Sequence, residues 1–283
     1  MALNQFGKVT GELTYQREAI ELLEHIWTWS KDLRLIGQVS YPGVSPNQGL
    51  AVPMILLNIF EEISGSNWSR YESEIRMCIN EILQHVDSDR KIVFETVGLN
   101  GEFIDSIEGR MLNPGHAIEA GWFLQHWAQK LNDQSLQNRA LEMVDWSFER
   151  GWDQDFGGLY YFLDSEGCPP TPLEWNMKLW WPHTEAMYAW ALNYKFRRKE
   201  SDWKNYYGSC PELKEDVKEL GKEKFTREIL SLHTTVGKCN FEETRQLFVN
   251  NVLSEALTDG TPLYYNGNIL GRYYRKDYFK GLC

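Results

Sequence analysis

The stretch that decides the fold reads Asn-Pro-Gly-His-Ala-Ile-Glu-Ala-Gly-Trp-Phe-Leu at residues 113–124. Pro114 fixes the backbone angle that the first turn of a helix needs, so a helix is predicted to follow it. His116 and Glu119 stand three residues apart and share one face of that turn. A helix N-terminus disfavours positive charge, which favours a neutral His116 acting as a general base beside a carboxylate.

Two other interpretations of this motif stay open at this point. His116 could cap the helix by a hydrogen bond to a loop, with no chemical role. The His-x-x-Glu spacing could also serve a metal ion, but no further ligands stand at a telling distance in the sequence, so no metal site is predicted.

Further helices are predicted on both sides from apolar residues that recur at helical spacing. Strand-like letters around Gly and Asn predict a short hairpin at 91–105, and Gly157-Gly158 between aromatic residues predicts a turn. The pairs of helices therefore predict one all-α domain over residues 1–283, an α/α toroid with short β-hairpins in its loops; periodicity alone does not show that the ring is closed. The other predicted helices cover 14–31, a segment from about 52 to 65, 70–86, 135–148 and 173–195, with weaker ones at 211–232 and 241–257 and strand-like letters at 262–274.

A second motif, Glu-Trp-Asn-Met-Lys-Leu-Trp-Trp-Pro-His-Thr-Glu-Ala at residues 174–186, packs three Trp beside charged groups. Trp offers a flat apolar face with one N–H donor, and sugars present apolar C–H faces rimmed by hydroxyls. Trp181 beside Lys178, His183 and Glu185 therefore predicts a carbohydrate pocket. The alternative is that these Trp side chains only fill the middle of a helical ring.

Composition limits the classes of function. The chain has 283 residues and a net charge of −11, which is a poor match for general nucleic-acid binding. The charge is uneven, since residues 1–194 carry a net −14 and residues 195–283 a net +3. Five widely spaced Cys, no secretory leader and no long apolar run predict a cytoplasmic protein outside the membrane.

Other catalytic signatures are absent from the sequence. It contains no GxxxxGK[ST] phosphate loop, no GxGxxG fingerprint and no Ser nucleophile elbow. Two carboxylates with two His residues would also suit a glycoside hydrolase, so hydrolysis stays a rival to any other sugar chemistry.

At these motifs the sequence resembles the N-acylglucosamine 2-epimerase family, whose animal members are also called renin-binding proteins. The resemblance covers roughly residues 1–195. The resemblance is carried by several long sequence motifs in the same order, at residues 51–58, 113–124, 151–162 and 173–187.

The resemblance implies an (α/α)6 barrel that interconverts N-acetylglucosamine and N-acetylmannosamine by removing and returning the C2 proton. It implies that His116 is one of two proton-transfer His residues and that Glu119 and Glu185 orient substrate or His. It further implies substrate binding by Trp122, Lys178, Trp181 and His183. No cofactor is required by this resemblance; it implies ATP as an effector, a homodimer and renin as a protein partner.

The sequence also departs from the family pattern. The chain is expected to be shortened at the N-terminus, where the family carries an Arg that contacts substrate, and residues 196–283 are divergent. The family's second His closely follows a Phe-Lys-Gly element, whereas here residues 279–281 are followed by Leu282 and Cys283. His233 does not match that pattern and is predicted to lie at the surface. A catalytically impaired, partner-binding form of the same fold is therefore the alternative to an active epimerase.

Overall fold

The computed structural model describes residues 1–36, 46–199, 201–202, 205, 264–265 and 268–269. The helices are α1 (Ala2–Thr10), α2 (Leu13–Lys31), α3 (Ala51–Ser64), α4 (Glu72–Gln84), α5 (Pro114–Leu131), α6 (Gln134–Gly151) and α7 (Trp180–Arg197), with 3-10 helices at Leu33–Ile36 and Gly65–Tyr71. The strands are β1 (Asn47–Gly49), β2 (Val86–Asp87), β3 (Ile92–Val93), β4 (Thr96–Gly98), β5 (Met111–Leu112), β6 (Leu163–Asp164), β7 (Tyr264–Tyr265) and β8 (Asn268–Ile269).

The chain divides into two compact units. The first comprises Met1–Val86 and Thr96–Ile104, and the second comprises Asp87–Glu95 and Asp105–Cys283. The prediction of one domain over residues 1–283 stays a prediction.

The first unit is a set of amphipathic helices whose apolar faces meet. Leu23 of α2, Phe60 of α3 and Ile75 of α4 are each at most 1% exposed. The ring of Phe60 contacts Trp27 edge-on, with the ring centroids 5.6 Å apart. Strand β1 pairs antiparallel with β4, with Asn47 opposite Gly98. Burial of this kind contributes about 1.5–3 kcal/mol for each large apolar side chain, so packing holds the helices together.

The second unit carries the candidate site and is built on α5, α6 and α7. Helix α5 is buried on almost every side, with Phe123, Leu124 and Trp127 fully enclosed. Helix α7 is buried to a similar extent, and its Trp190 meets Phe148 of α6 edge-on at 5.1 Å between centroids. A helix that is apolar around most of its circumference belongs in the interior, so α5 and α7 form the inner layer of this unit.

Most of the predicted elements are confirmed. The mainly helical class with short strands between helices is found, and α2 to α6 lie where the periodicity placed them. The turn at Gly157-Gly158 is also found, since both residues have positive φ angles and the backbone bridges Trp152 to Leu159.

One helix boundary was wrong. Helix α7 begins at Trp180 and not at Leu173, because Pro182 is tolerated only in a first turn, where the missing N–H has no helical partner in any case. Residues 173–179 instead form turns, and the carbonyl of Trp175 accepts backbone hydrogen bonds from Tyr161 and Phe162.

The hairpin predicted at 91–105 was also wrong, because β4 pairs with β1 from a distant part of the sequence. Helix α1 was not predicted; it is short, and Gly11 ends it in a left-handed conformation at φ 77°. The helices predicted at 211–232 and 241–257, His233 and residues 279–281 lie outside the described residues, and only β7 and β8 are described within 262–274.

Candidate active site

The N-terminus of α5 positions His116. Asn113 caps the helix, and its side-chain oxygen accepts a hydrogen bond from the backbone N–H of His116 at 3.2 Å. Pro114 occupies the first helical position, as the sequence predicted. His116 is therefore held in the first turn by local sequence alone, with 27% of its side chain exposed.

Glu95 is the partner of His116, and the sequence analysis missed it. The Nδ1 atom of His116 lies 3.0 and 3.1 Å from the two carboxylate oxygens of Glu95. A carboxylate accepts hydrogen bonds only, so Nδ1 carries the proton and the lone pair of the neutral ring is at Nε2. The position of Glu95 directly after the buried residues Ile92, Val93 and Phe94 was the available signal, because a carboxylate at the end of an apolar run is held by its neighbours.

Two further carboxylates lie close to this pair. Burial, followed by the negative charges of Glu185 and Glu95, raises the pKa of Glu119 to about 8. Burial also raises the pKa of Glu185 to about 7, against the opposing effects of Trp122 and His116. Glu119 and Glu185 titrate together, so near neutral pH this part of the site holds a proton on a carboxyl group.

Aromatic side chains surround the carboxylates. The indole Nε1 of Trp122 donates a hydrogen bond to Glu185 at 2.7 Å. Trp181 lies against the ring of His116, with centroids 5.3 Å apart, and Tyr161 meets Trp181 edge-on. A Cβ at Gly115 would come within 2.5 Å of Trp181, so only glycine allows this close approach.

Lys178 and His183 belong to a different cluster. Lys178 Nζ lies 2.9 Å from Asp153 and 3.3 Å from the ring centroid of Tyr160, and the side chains of Lys178 and Asp153 are about 95% buried. Burial lowers the pKa of Lys178 to about 8, although the hydrogen bond with Asp153 opposes that change. Burial alone would raise the pKa of Asp153, but hydrogen bonds from Lys178, Phe156 and Tyr160 leave it below its ordinary value.

Both ring nitrogens of His183 are engaged by the backbone. Nε2 accepts a hydrogen bond from the N–H of Leu159 at 2.9 Å, and Nδ1 donates to the carbonyl of Leu179 at 2.6 Å. Burial lowers the pKa of His183 to about 4, so the ring is neutral at physiological pH. This geometry supports a role in holding the Gly157-Gly158 turn against the start of α7.

The sequence-predicted site residues thus fall into two groups. His116, Glu119, Trp122, Trp181 and Glu185 come together around Glu95. Lys178 and His183 have their described partners in the Gly158 turn, and their assignment to substrate binding stays a prediction.

A separate cavity of about 520 Å³ lies between α6, the end of α7 and the residues Lys199, Ser201 and Asn205. Trp152, Phe148 and Trp190 form its aromatic lining, and Arg197 bridges Asp145 and Asp202 at its edge. None of the seven sequence-predicted site residues lines it.

In the described part of the chain, no His, Cys, Asp or Glu side chains are grouped in threes or more so as to hold a metal ion. No described helix combines the length and the apolar character that crossing a membrane requires.

Two family models match the chain. The N-acylglucosamine 2-epimerase model matches residues 8–210, which is well over half of the chain. A model for the GIY-YIG domain of the endonuclease SegE matches residues 177–269. The second match covers about a third of the chain and starts just before α7, within the span of the first, so it does not establish a family.

Curated relatives agree with the first model. The chain is 42% identical over 200 residues to the N-acylglucosamine 2-epimerase of Rattus norvegicus, covering 69% of this chain and 48% of the relative. It is 39% identical over 199 residues to the human protein of the same name, covering 69% and 47%. The chain therefore spans about half the length of the curated relatives that it matches.

Solved structures agree in fold. A cellobiose 2-epimerase from Bacillus thermoamylovorans has a TM-score of 0.51 at 18% identity, over 62% of this chain and 44% of that one. An inactive variant of an α-1,6-mannanase from Salegentibacter has a TM-score of 0.54 at 14% identity, over 89% and 73%. Both neighbours belong to the α/α-toroid class, which shows the fold class of this chain. With a family model that matches most of its length, the chain belongs to the N-acylglucosamine 2-epimerase family.

Proposed function

We propose that the protein is a sugar isomerase that interconverts N-acetylglucosamine and N-acetylmannosamine. The reaction would remove the proton from C2 of the opened sugar, next to the C1 aldehyde, and return a proton to the opposite face. Membership of the family and the relatives' names support this substrate class.

The observation that carries the proposal is the His116–Glu95 pair. Glu95 holds the proton on Nδ1, which leaves the Nε2 lone pair of a neutral imidazole available to accept the C2 proton. The negative charge of Glu95 also stabilises the imidazolium that forms when His116 takes up that proton. A positioned base of this kind contributes typically about 10²–10⁴-fold to a rate.

Glu119 and Glu185 can supply the hydrogen-bond donor that the reaction also requires. When the C2 proton leaves, the electron pair of the C–H bond moves toward the C1 oxygen, which needs a hydrogen-bond donor. Glu119 and Glu185, with pKa values of about 8 and 7, keep a neutral carboxyl group at physiological pH. We assign Glu119 and Glu185 to this role, and Trp181 to contact with the apolar face of the sugar. Trp122, which is 5% exposed, would support substrate binding through its hydrogen bond to Glu185. Lys178 and His183 would support the pocket from the neighbouring turn.

The test is exchange of the C2 proton with solvent deuterium, followed by NMR on N-acetylglucosamine and N-acetylmannosamine. One base can exchange the proton on one face even where the second proton carrier is absent. We expect His116→Gln to lower this exchange by about 10²–10⁴-fold without unfolding the protein. Glu95→Gln should weaken it less, because the base survives without its charged partner. His25→Gln is the control, since His25 is an exposed residue of α2 that stacks on Trp29.

The same experiment separates the partner-binding alternative. Wild-type protein that binds either sugar but shows neither exchange nor turnover would overturn the epimerase proposal and favour an impaired form. The hydrolase alternative rests on the two carboxylates beside His residues in the sequence; it requires release of reducing ends from an oligosaccharide and loss of that activity in Glu185→Gln.

Four further assignments complete the proposal. A cytoplasmic location rests on the widely spaced Cys residues of the sequence. A homodimer, ATP as an effector without any required cofactor, and renin as a protein partner rest on the family resemblance. Cell fractionation, light scattering, exchange rates with and without ATP, and binding of purified renin test them one by one.

A further inference from the structure

Trp122 lies at the centre of a seam between α5 and α7. On α5, Glu119, Trp122 and His126 follow each other at spacings of three and four residues, which places them on one face. On α7, Glu185 and Tyr188 are three residues apart and face that seam. Two hydrogen bonds cross it on successive turns, from Trp122 Nε1 to Glu185 at 2.7 Å and between His126 Nε2 and the Tyr188 hydroxyl at 2.8 Å.

The indole of Trp122 is enclosed by the second of these pairs. Tyr188 meets it edge-on with centroids 4.8 Å apart, and His126 does so at 5.2 Å. Trp122 is 5% exposed and Tyr188 is 3% exposed. An indole in such a setting can turn only if the surrounding rings move, so the His126–Tyr188 hydrogen bond fixes its orientation.

The orientation matters because the indole N–H points at a carboxyl group with a perturbed proton affinity. Donation from Trp122 favours the charged form of Glu185 against its burial. The other titratable groups near Glu185 are His116 and Glu119 on α5, with Glu95 acting on Glu119. Among these influences, the Trp122 hydrogen bond is a neutral one whose strength depends on the angle of a single ring.

We propose that His126 and Tyr188 are positioning residues, which hold Trp122 so that its N–H donates to Glu185. They act through Trp122 and do not touch the sugar. The catalytic consequence rests on the proposed function, whereas the effect on the indole does not.

Tyr188→Phe tests the proposal most directly, because it keeps the ring against Trp122 and removes only the hydroxyl. The readout is the indole ¹⁵N–¹H resonance of Trp122, assigned by its loss in Trp122→Phe. We expect this resonance to move upfield toward that of a free indole in Tyr188→Phe. Its pH titration, which reports the Glu185 carboxyl group, should move to higher pH because the charged form loses a donor. An unchanged resonance and titration would overturn the proposal.

The matched control is Gln125→Met. The Gln125 amide donates to Asn193 at 2.8 Å, another buried hydrogen bond between α5 and α7 that does not involve Trp122. We expect this variant to lower the melting temperature at least as much as Tyr188→Phe while leaving the Trp122 resonance in place. If both variants move the resonance equally, general loosening of the two helices explains the effect and the proposal fails. His126→Gln keeps an acceptor and should preserve the resonance, whereas His126→Leu should behave like Tyr188→Phe.

Exchange at C2 gives the catalytic readout. Tyr188→Phe should lower the exchange rate by about fivefold, the equivalent of one neutral hydrogen bond, with KM changed less than twofold. A larger change in KM than in rate would overturn a positioning role for Tyr188. If the wild-type protein shows no exchange, the proposed function fails, and the indole measurement still decides this inference.

Discussion

His116 with Glu95 and Lys178 with Asp153 are both contacts of about 3 Å between a basic side chain and a carboxylate within the second unit, yet they are built differently. The Asp153 carboxylate accepts hydrogen bonds from Lys178 and from the backbone of Asp155 and Phe156, and the side chains of Lys178 and Asp153 are only 4% and 5% exposed. Around His116, 27% of the side chain stays exposed, and two carboxyl groups nearby have raised pKa values. The first cluster is electrostatically balanced and suits a structural role, whereas the second keeps unbalanced charge where a substrate can reach it.

The largest expected effect comes from disrupting the balanced cluster of Lys178 and Asp153. Lys178→Met should lower the free energy of unfolding by about 3–5 kcal/mol, because it leaves the Asp153 carboxylate buried without its cation. Urea denaturation measures the change. The double variant Lys178→Met/Asp153→Asn should regain much of that loss. Arg76→Met removes an exposed pair with Glu72 and should cost less than about 1 kcal/mol; equal losses in Lys178→Met and Arg76→Met would contradict a structural role for Lys178.

The second test addresses the turn that the balanced cluster holds. Gly158 has a φ of 80°, and an added Cβ would lie 3.0 Å from Nε2 of His183 and 3.2 Å from Lys178. Gly158→Ala should therefore lower the free energy of unfolding by about 1–2 kcal/mol through backbone strain, and by a further amount because the new methyl group displaces His183. Gly167 provides the control, since its φ is 78° and nothing lies within 4 Å of an added Cβ. The melting temperatures of Gly158→Ala and Gly167→Ala are compared. Equal destabilisation would show that displacing His183 does not lower the stability.

The last test concerns the pH dependence of the unbalanced cluster. Burial, then the nearby charges, raises the folded-state pKa of Glu119 to about 8, above its ordinary value of 4.5. The folded protein therefore binds more protons than the unfolded chain between these values, and stability from this group falls as the pH rises from about 4.5 to 8. Glu119→Gln should gain stability relative to wild type over that range. Melting curves at pH 5, 6.5 and 8 test this, and a difference that does not change with pH would contradict it.

The sequence predicted the part of the candidate site whose residues are close together along the chain. Asn113, Pro114, His116 and Glu119 lie within seven residues, and helix geometry fixes their arrangement. Glu95 was missed because it reaches His116 from 21 residues away through the fold. The apolar run at 92–94 marks Glu95 as a held carboxylate, but no local pattern identifies His116 as its partner.

Lys178 and His183 show the limit of sequence proximity, and their assignment to substrate binding stays a prediction. They were grouped with Trp181 because they are its neighbours in the sequence. Lys178 precedes α7 in an irregular segment, and His183 points from the first turn toward Leu159, so both side chains turn to the Gly158 loop. Sequence distance is a poor guide wherever a helix starts, because side-chain directions change there within a few residues.

His183 has one more consequence for the molecule. By accepting from Leu159 N–H and donating to Leu179 C=O, its ring makes the two hydrogen bonds that a peptide unit makes in a sheet. This substitute works only while Nε2 keeps its lone pair. Burial lowers the pKa of His183 from 6.5 to about 4, so stability is lost as the pH falls from 6.5 toward 4. Protonation would place an N–H at Nε2 against the N–H of Leu159. Acid unfolding of this unit should therefore start at a single imidazole, two residues from Trp181, and spread from there into the candidate pocket.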